Sequence, residues 1–219
     1  MPRCLLYYIT DRRSFPGDSS DQRESLFAKI DEAARAGVDC IQLREKDLSA
    51  HELEALAAVA LDRIRRLKSQ GPGAKTRLLI NSRADVALAI GADGVHLPAN
   101  DLDPAEIRSL WERCRAGRHV TPTISVSCHT AEEVTRAELD GADFAIFAPV
   151  FEKKDAPETK PAGLDRLRRA CQQRIPVVAL GGITLENMGA CLDAGAAGIA
   201  GIRLFQEHNI AEIVSRLRP

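Results

Sequence analysis

Short apolar runs alternate with longer amphipathic segments along the whole chain. The runs are rich in Val, Ile, Leu and Ala, a pattern typical of strands that are buried on both faces of a parallel sheet. Between the runs, apolar residues recur three or four positions apart, which predicts helices with one buried face. The predicted strands are Cys4–Ile9, Cys40–Leu43, Arg77–Ile80, Gly94–Leu97, Ile124–Ser127, Asp143–Phe147, Pro176–Leu180 and Ile199–Ile202.

Capping residues mark the ends of the predicted helices. Gly37 ends the first helix. Ser49 and Glu52 form a capping box at the start of the second helix, and Thr130 caps the helix after the fifth strand by way of Glu133. Further helices are predicted around Trp111, from about Leu164 to Gln172, from Thr184 and over Ile210–Leu217, and loops are predicted over Ser14–Asp21 and Ala148–Gly163.

Strict alternation of strands and helices decides the predicted fold. Parallel strands joined by right-handed helical crossovers, eight of them in 219 residues, match a closed (β/α)8 barrel, the TIM barrel. Related sequences before several strands, such as Gly91-Ala92-Asp93 and Gly141-Ala142-Asp143, support a barrel built from repeated units. We therefore expect one α/β domain over residues 1–219, with an open doubly wound sheet as the alternative.

Composition narrows the classes of function. Lys and Arg number 30 and Asp and Glu number 31, so the net charge is −1 and no basic field attracts nucleic acid. No apolar stretch approaches the roughly 20 residues that span a bilayer, and the apolar run before Thr10 is too short for a signal peptide. The six cysteines are scattered without metal-type spacing, which is typical of free thiols in a reducing compartment. We expect a cytoplasmic protein that acts on small molecules, without nucleic acid or membrane partners; a homo-oligomer is compatible with the sequence.

A cluster of polar side chains follows the second predicted strand. Gln42 and Arg44 point to the face opposite Leu43, because successive side chains of a strand alternate. Arg44 offers a planar fork of donors and Lys46 a compact charge, a combination that suits an anionic, phosphorylated ligand. An ion pair of these cations with Glu45 is the alternative interpretation.

Other candidate residues follow later strands, where barrels of this kind form their sites. Gly181 and Gly182 stand after the seventh strand, where backbone N–H groups commonly bind phosphate; a tight turn is the alternative. Asp101 would hold Mg²⁺ beside a bound diphosphate, or else only begins a helix. His129 suits proton transfer near neutral pH, or else only packs. The other candidate residues that follow strand ends are Asn81, Ser127, Lys153, Lys160, Ile202 and Arg203.

Six motifs occur in order along nearly the whole chain. They are Tyr-Ile-Thr-Asp (8–11), Ile-Gln-Leu-Arg-Glu-Lys (41–46), Ile-Asn-Ser-Arg-Ala-Asp (80–85), Gly-Ala-Asp-Gly-Val-His-Leu (91–97), Ser-Val-Ser-Cys-His (125–129) and Ala-Leu-Gly-Gly-Ile-Thr (179–184). Together they resemble the thiamine phosphate synthase and thiazole tautomerase family. The family fold is the (β/α)8 barrel that the strand pattern already predicts.

The resemblance implies an activity and a set of site residues. The synthase branch joins hydroxymethylpyrimidine diphosphate to a thiazole phosphate and releases diphosphate, through a pyrimidine methyl cation. By resemblance, Gln42, Arg44 and Lys46 would bind the pyrimidine diphosphate, with help from Asn81 and Ser127. The resemblance further places Asp101 on Mg²⁺, Lys153 or Lys160 on the diphosphate, and Gly181, Gly182, Ile202 and Arg203 around the thiazole phosphate.

Departures from the synthase pattern keep two alternatives open. Ser82 replaces a metal-binding Asp, Pro98-Ala99 replaces Gly-Gln, and Arg203 replaces a phosphate-binding serine. The tautomerase branch, which aromatises the thiazole phosphate by proton transfer, uses a histidine that corresponds to His129. A barrel that binds thiazole phosphate without catalysis is the other alternative. We favour the synthase, because Gln42, Lys46 and Asp101 are not required by a tautomerase.

Overall fold

Eight parallel strands close into a barrel in the computed structural model, which describes residues 3–68, 76–99, 101–114, 121–152 and 158–218. Each strand pairs with the next along the chain, and the last pairs with the first. The strands are β1 (Leu5–Ile9), β2 (Cys40–Leu43), β3 (Arg77–Asn81), β4 (Gly94–Leu97), β5 (Thr123–Cys128), β6 (Phe144–Phe147), β7 (Val177–Ala179) and β8 (Gly198–Gly201). The predicted (β/α)8 barrel is confirmed, and the open sheet is wrong.

Helices follow the strands and cover the outside of the barrel. They are α1 (Ser19–Ala36), α2 (Ala50–Lys68), α3 (Ala84–Ile90), α4 (Pro104–Cys114), α5 (Ala131–Leu139), α6 (Gly163–Ala170), α7 (Met188–Asp193), α8 (Arg203–Gln206) and α9 (Ile210–Leu217), with a short 3₁₀ helix over Arg12–Ser14. Among the described residues, no helix combines the length and the apolar character needed to cross a membrane.

Helix starts depend on local side-chain hydrogen bonds. The predicted capping box is confirmed, since Ser49 N–H donates to Glu52 at 2.9 Å and Glu52 N–H donates to Ser49 Oγ at 3.3 Å. The predicted loop Ser14–Asp21 is wrong at its end, because Asp18 caps α1 from Ser19 onward. The helix predicted from Thr184 begins only at Met188.

Two apolar clusters lie on opposite sides of the strands. The outer cluster joins strands to helices and includes Ile41 and Leu43, both fully buried. The inner cluster fills the barrel, and its members include Tyr7, Ile9, Leu79, Phe144, Ile146, Val178 and Ala200. Ile41 and Leu43 belong to the outer cluster and Cys40 to the inner one, so side chains along β2 alternate as predicted.

Candidate active site

Cations collect at the carboxyl ends of β1 and β2. A cavity of about 540 Å³ there is lined by Asp11, Arg13, Ser14, Arg44, Lys46 and Asp47. Among the described residues, no carboxylate forms an ion pair with Arg44 or Lys46. The positive charge of Arg44, together with partial burial, lowers the pKa of Lys46. Two neighbouring cations that form no ion pair with a described carboxylate favour the binding of an anion in this cavity.

Glu45 does not belong to that cavity. Its carboxylate is 1% exposed and accepts hydrogen bonds from Thr10 Oγ1 at 2.6 Å, from Arg12 N at 3.1 Å and from Arg12 Nη1 at 3.1 Å. The alternative ion pair of Glu45 with Arg44 or Lys46 is therefore wrong. Because Glu45 binds Arg12, it holds the loop after β1 against the loop after β2 and does not pair with Arg44 or Lys46.

Arg12 and Arg13 are site residues that the sequence interpretation missed. Arg12 also donates to both carboxylate oxygens of Asp47, at 2.7 Å and 2.6 Å, whereas Arg13 lines the cavity. Consecutive arginines directly after a strand were the available signal. Arg12 turns toward the loop after β2, whereas Arg13 turns toward the cavity. Side-chain alternation predicts orientation only within a strand, so it could not predict this difference.

Two amides lie side by side inside the barrel mouth. Gln42 Nε2 donates to Asn81 Oδ1 at 2.7 Å, and Asn81 Nδ2 donates to Ser82 Oγ at 3.1 Å. Gln42 is 1% exposed, and its Oε1 has no hydrogen-bond partner within the described chain. A buried acceptor without a donor is unfavourable by about 1–3 kcal/mol, so this oxygen is suited to an N–H group of a ligand.

Ser127 is held by a buried histidine. His96 Nε2 lies 2.9 Å from Ser127 Oγ, and His96 Nδ1 lies 2.9 Å from Ser125 Oγ. Burial, followed by the charge of nearby Arg44, lowers the pKa of His96 to about 3. His96 is buried, and the sequence interpretation missed both of its hydrogen bonds.

His129 lies on the loop after β5 with one ring nitrogen engaged. Its Nδ1 is 2.7 Å from the carbonyl oxygen of Ala148, and its backbone N–H donates to Glu133 Oε2 at 2.5 Å. Because a carbonyl only accepts, Nδ1 carries the hydrogen and Nε2 is left as an acceptor. The His129 side chain is exposed, which leaves Nε2 open to a ligand.

The glycines after β7 have positive φ angles of 100° at Gly181 and 64° at Gly182. A Cβ on Gly182 would lie 2.3 Å from the carbonyl oxygen of Glu152, so glycine is required there by the neighbouring loop as well as by the turn. Phe151 N–H donates to Gly181 O at 3.0 Å and fixes the two loops together. In this part of the described chain, Gly182 N–H and Ile183 N–H have no acceptor.

The remaining predicted site residues are less closely connected. Asp101 is exposed, and its Oδ1 accepts from Leu102 N–H at 2.9 Å. Lys160 is exposed, and Lys153 lies outside the described residues. Ile202 packs against the inner cluster, and Arg203 begins α8. Over the described ranges, no group of three or more His, Cys, Asp or Glu residues could hold a metal ion.

Comparison with known proteins decides the family. The thiamine monophosphate synthase family model matches residues 6–205. The chain belongs to this family. A family member from Aquifex aeolicus, named putative thiamine-phosphate synthase 2, is 39% identical over 210 residues, covering 94% of this chain and 99% of that protein. The thiamine-phosphate synthase of Methanospirillum hungatei is 40% identical over 199 residues, covering 90% of this chain and 87% of its own length.

A solved family structure has the same fold. Thiamine phosphate pyrophosphorylase from Pyrococcus furiosus superposes with a TM-score of 0.76 at 28% sequence identity, covering 99% of this chain and 95% of that one. Family membership confirms the resemblance that six motifs indicated. The thiamine monophosphate synthase family is a family of biosynthetic enzymes that act on small molecules.

Proposed function

We propose that the chain is a thiamine phosphate synthase that joins hydroxymethylpyrimidine diphosphate to thiazole phosphate. The observation that carries this proposal is the pair of cations, Arg44 and Lys46, that face one cavity without a carboxylate partner among the described residues. A diphosphate carries negative charge that can pair with both cations, and it is the leaving group of the reaction.

The reaction needs charge stabilisation and positioning more than a nucleophilic side chain. The C–O bond between the pyrimidine methylene carbon and the diphosphate breaks, and the diphosphate leaves with the electron pair. The thiazole nitrogen then forms the new N–C bond with the methylene carbon. Arg44 and Lys46 stabilise the negative charge that develops on the departing oxygen, and the barrel mouth holds the two reactants in line.

Gln42 is the proposed anchor for the pyrimidine. Its free Oε1 accepts from an N–H group of the ring substituents, while Asn81 fixes the amide in that orientation. Ser127 offers a hydroxyl to the same ligand. These residues orient the methylene carbon toward the thiazole, which Gly181, Gly182, Ile202 and Arg203 would bind through its phosphate, with Lys160 on the diphosphate.

Asp101 fits a magnesium ion that is shared with a substrate. Its carboxylate is exposed, and one of its oxygens has no partner in the described chain. Mg²⁺ usually takes one or two carboxylates and completes its shell with phosphate oxygens and water. When bound, the ion would neutralise charge on the diphosphate. Since Ser82 replaces a second carboxylate, phosphate oxygens and water would complete most of its shell.

We also propose that the protein is located in the cytoplasm. All six cysteines are free thiols, as expected in a reducing compartment. Burial raises the pKa of both Cys40 and Cys128 to about 12, which keeps these thiols protonated and unreactive.

A product assay tests the proposed function. Purified protein is incubated with hydroxymethylpyrimidine diphosphate, thiazole phosphate and Mg²⁺, and thiamine phosphate and free diphosphate are both measured. We expect equal amounts of the two products and loss of both on addition of EDTA. Absence of thiamine phosphate from protein whose circular dichroism shows a folded barrel would contradict the synthase assignment.

His129 supports a second candidate function, tautomerisation of the thiazole phosphate. Its Nδ1–H is fixed on a carbonyl oxygen, so Nε2 is available as a general base at the barrel mouth. This reaction moves a proton between two positions of the thiazole and requires neither the cation pair nor Asp101.

Two substitutions separate these candidates. Asp101→Asn is expected to lower thiamine phosphate formation by at least about tenfold, since it removes the charge of the proposed metal ligand. His129→Asn is expected to leave that activity within about threefold, because the synthase reaction uses no base at Nε2. Both are measured as initial rates at saturating Mg²⁺. Tautomerisation of the thiazole phosphate is assayed with the same two variants, and loss of that activity in His129→Asn but not in Asp101→Asn would favour the tautomerase.

A further inference from the structure

A chain of hydrogen bonds runs through the barrel interior and ends at the proposed site. Tyr7 Oη lies 3.0 Å from Ser125 Oγ, which lies 2.9 Å from His96 Nδ1. On the other side of the ring, His96 Nε2 lies 2.9 Å from Ser127 Oγ. Tyr7 is 1% exposed and lies in the inner cluster, so the chain has one closed end, at Tyr7, and one end at the mouth, at Ser127.

The histidine in this chain of hydrogen bonds, His96, is neutral. Burial lowers the pKa of His96 to about 3, well below physiological pH. A neutral imidazole has one N–H donor and one acceptor nitrogen. The two ring nitrogens therefore play opposite roles: either Nδ1 accepts from Ser125 while Nε2–H donates to Ser127, or Nδ1–H donates to Ser125 while Nε2 accepts from Ser127.

Counting donors selects one direction. Within the described residues, Ser125 is the only hydrogen-bond partner of the Tyr7 hydroxyl. If the chain ran away from the mouth, His96 Nδ1–H would donate to Ser125; whether Ser125 then donated to Tyr7 or Tyr7 to Ser125, one of these two hydroxyl hydrogens would be a buried donor without an acceptor among the described residues. If it runs toward the mouth, Tyr7 donates to Ser125, Ser125 donates to His96 Nδ1, and His96 Nε2–H donates to Ser127. The donors of Tyr7, Ser125 and His96 are then all satisfied, which avoids the penalty of a buried unpaired donor.

We propose that His96 is a positioning residue that, held by Ser125, makes the Ser127 hydroxyl a hydrogen-bond donor toward an acceptor atom of the ligand. The Ser127 oxygen already accepts from His96, so its own hydrogen is free for the mouth of the barrel. The identity of that ligand rests on the proposed function, under which the pyrimidine diphosphate supplies the acceptor. The direction of the chain does not rest on it.

The direction is tested without any substrate. Protein labelled with ¹⁵N at histidine is examined by long-range ¹H–¹⁵N NMR, and the signals of His96 are assigned by comparison with His96→Gln. We expect a hydrogen on Nε2 and a bare Nδ1, unchanged between neutral pH and pH 5. A hydrogen on Nδ1 would overturn the proposal, whatever the protein catalyses.

The connection to Ser127 is tested by a double-mutant cycle. Ser125→Ala removes the group that holds His96, and we expect kcat/KM for thiamine phosphate formation to fall about tenfold, the order expected for a hydrogen bond within a buried network. In a Ser127→Ala background the same change should have no further effect. Equal losses in both backgrounds would mean that Ser125 acts only through packing and would overturn the proposal.

Two tyrosine variants serve as matched comparisons. Tyr7→Phe should retain the Nε2–H tautomer and activity within about threefold, because Ser125 still has His96 as its acceptor. Tyr8→Phe should change nothing, since the buried Tyr8 hydroxyl has no hydrogen-bond partner within the described residues. A change of the His96 tautomer in Tyr7→Phe would contradict the assigned direction. If the wild-type protein forms no product but shows the Nε2–H tautomer, the proposed function fails while the direction of the chain stands.

Discussion

Replacing Arg44 with glutamine should lower the rate of thiamine phosphate formation by about a hundredfold to a thousandfold, the effect typical of removing one preorganised group that stabilises developing charge. Arg44 lines the cavity and forms no ion pair with a carboxylate among the described residues, so it can pair with a bound diphosphate. The loss should appear in kcat more than in KM, because charge on the diphosphate grows as the C–O bond breaks. Single-turnover measurement of diphosphate release checks this separation.

Arg13→Gln is the matched control for Arg44→Gln. Both substitutions remove one positive charge from the same cavity, but Arg13 is exposed whereas Arg44 is partly buried. Exposed charges are screened by water and salt, so the control should lose less than about tenfold. Equal losses in the two variants would show that the overall field of the cavity matters, and not the position of Arg44.

Replacing Glu45 with alanine should lower the free energy of unfolding by about 3–5 kcal/mol, as expected when one partner of a buried ion pair is removed. The change takes the acceptor from Thr10 Oγ1 and from the backbone and guanidinium N–H groups of Arg12. Urea denaturation followed by circular dichroism measures the effect. Activity should also fall, because the loop that carries Arg13 is no longer held against β2.

Asp47→Ala is the control for Glu45→Ala. Both carboxylates bind Arg12, but the Asp47 side chain is 36% exposed and that of Glu45 is 1% exposed. Exposed ion pairs contribute at most about 1 kcal/mol, so Asp47→Ala should have a small effect. A loss of stability as large as that of Glu45→Ala would mean that burial of the pair is not the source of its energy.

The fold could be predicted because each strand and each long helix has a recognisable pattern of apolar residues within its own stretch of sequence. The apolar runs are short, and their order alone specifies a parallel barrel. The elements that escaped prediction, the 3₁₀ helix Arg12–Ser14 and α8, are too short to show a helical period. The late start of α7 depends on Asn187, whose side chain bonds Thr184 N–H and Gly182 O in the preceding turn.

The site was predictable where it lies on strands and not where it lies on loops. Alternation along β2 correctly placed Gln42 on the face opposite Leu43, and on that face its amide donates to Asn81 at the end of β3. The pairing of Glu45 with Arg12 joins residues far apart in the sequence, and no local pattern reveals it. His96 and Ser125 lie opposite each other on adjacent strands and both point inward. The alternation of side chains along these two strands could therefore have predicted their hydrogen bond.

Closure of the barrel by β1 and β8 has a consequence for how the chain is made. Leu5 lies beside Gly198 in the sheet, so β1 finds its second neighbour only after all the later strands of the barrel have been synthesised. Until then one edge of β1 exposes unpaired N–H and C=O groups that can pair with another chain. Such long-range pairing also slows folding, because a large loop must close before its contacts form. The edge of β1 that β8 will cover is thus exposed longest during synthesis, and a nascent chain is most open to aggregation there.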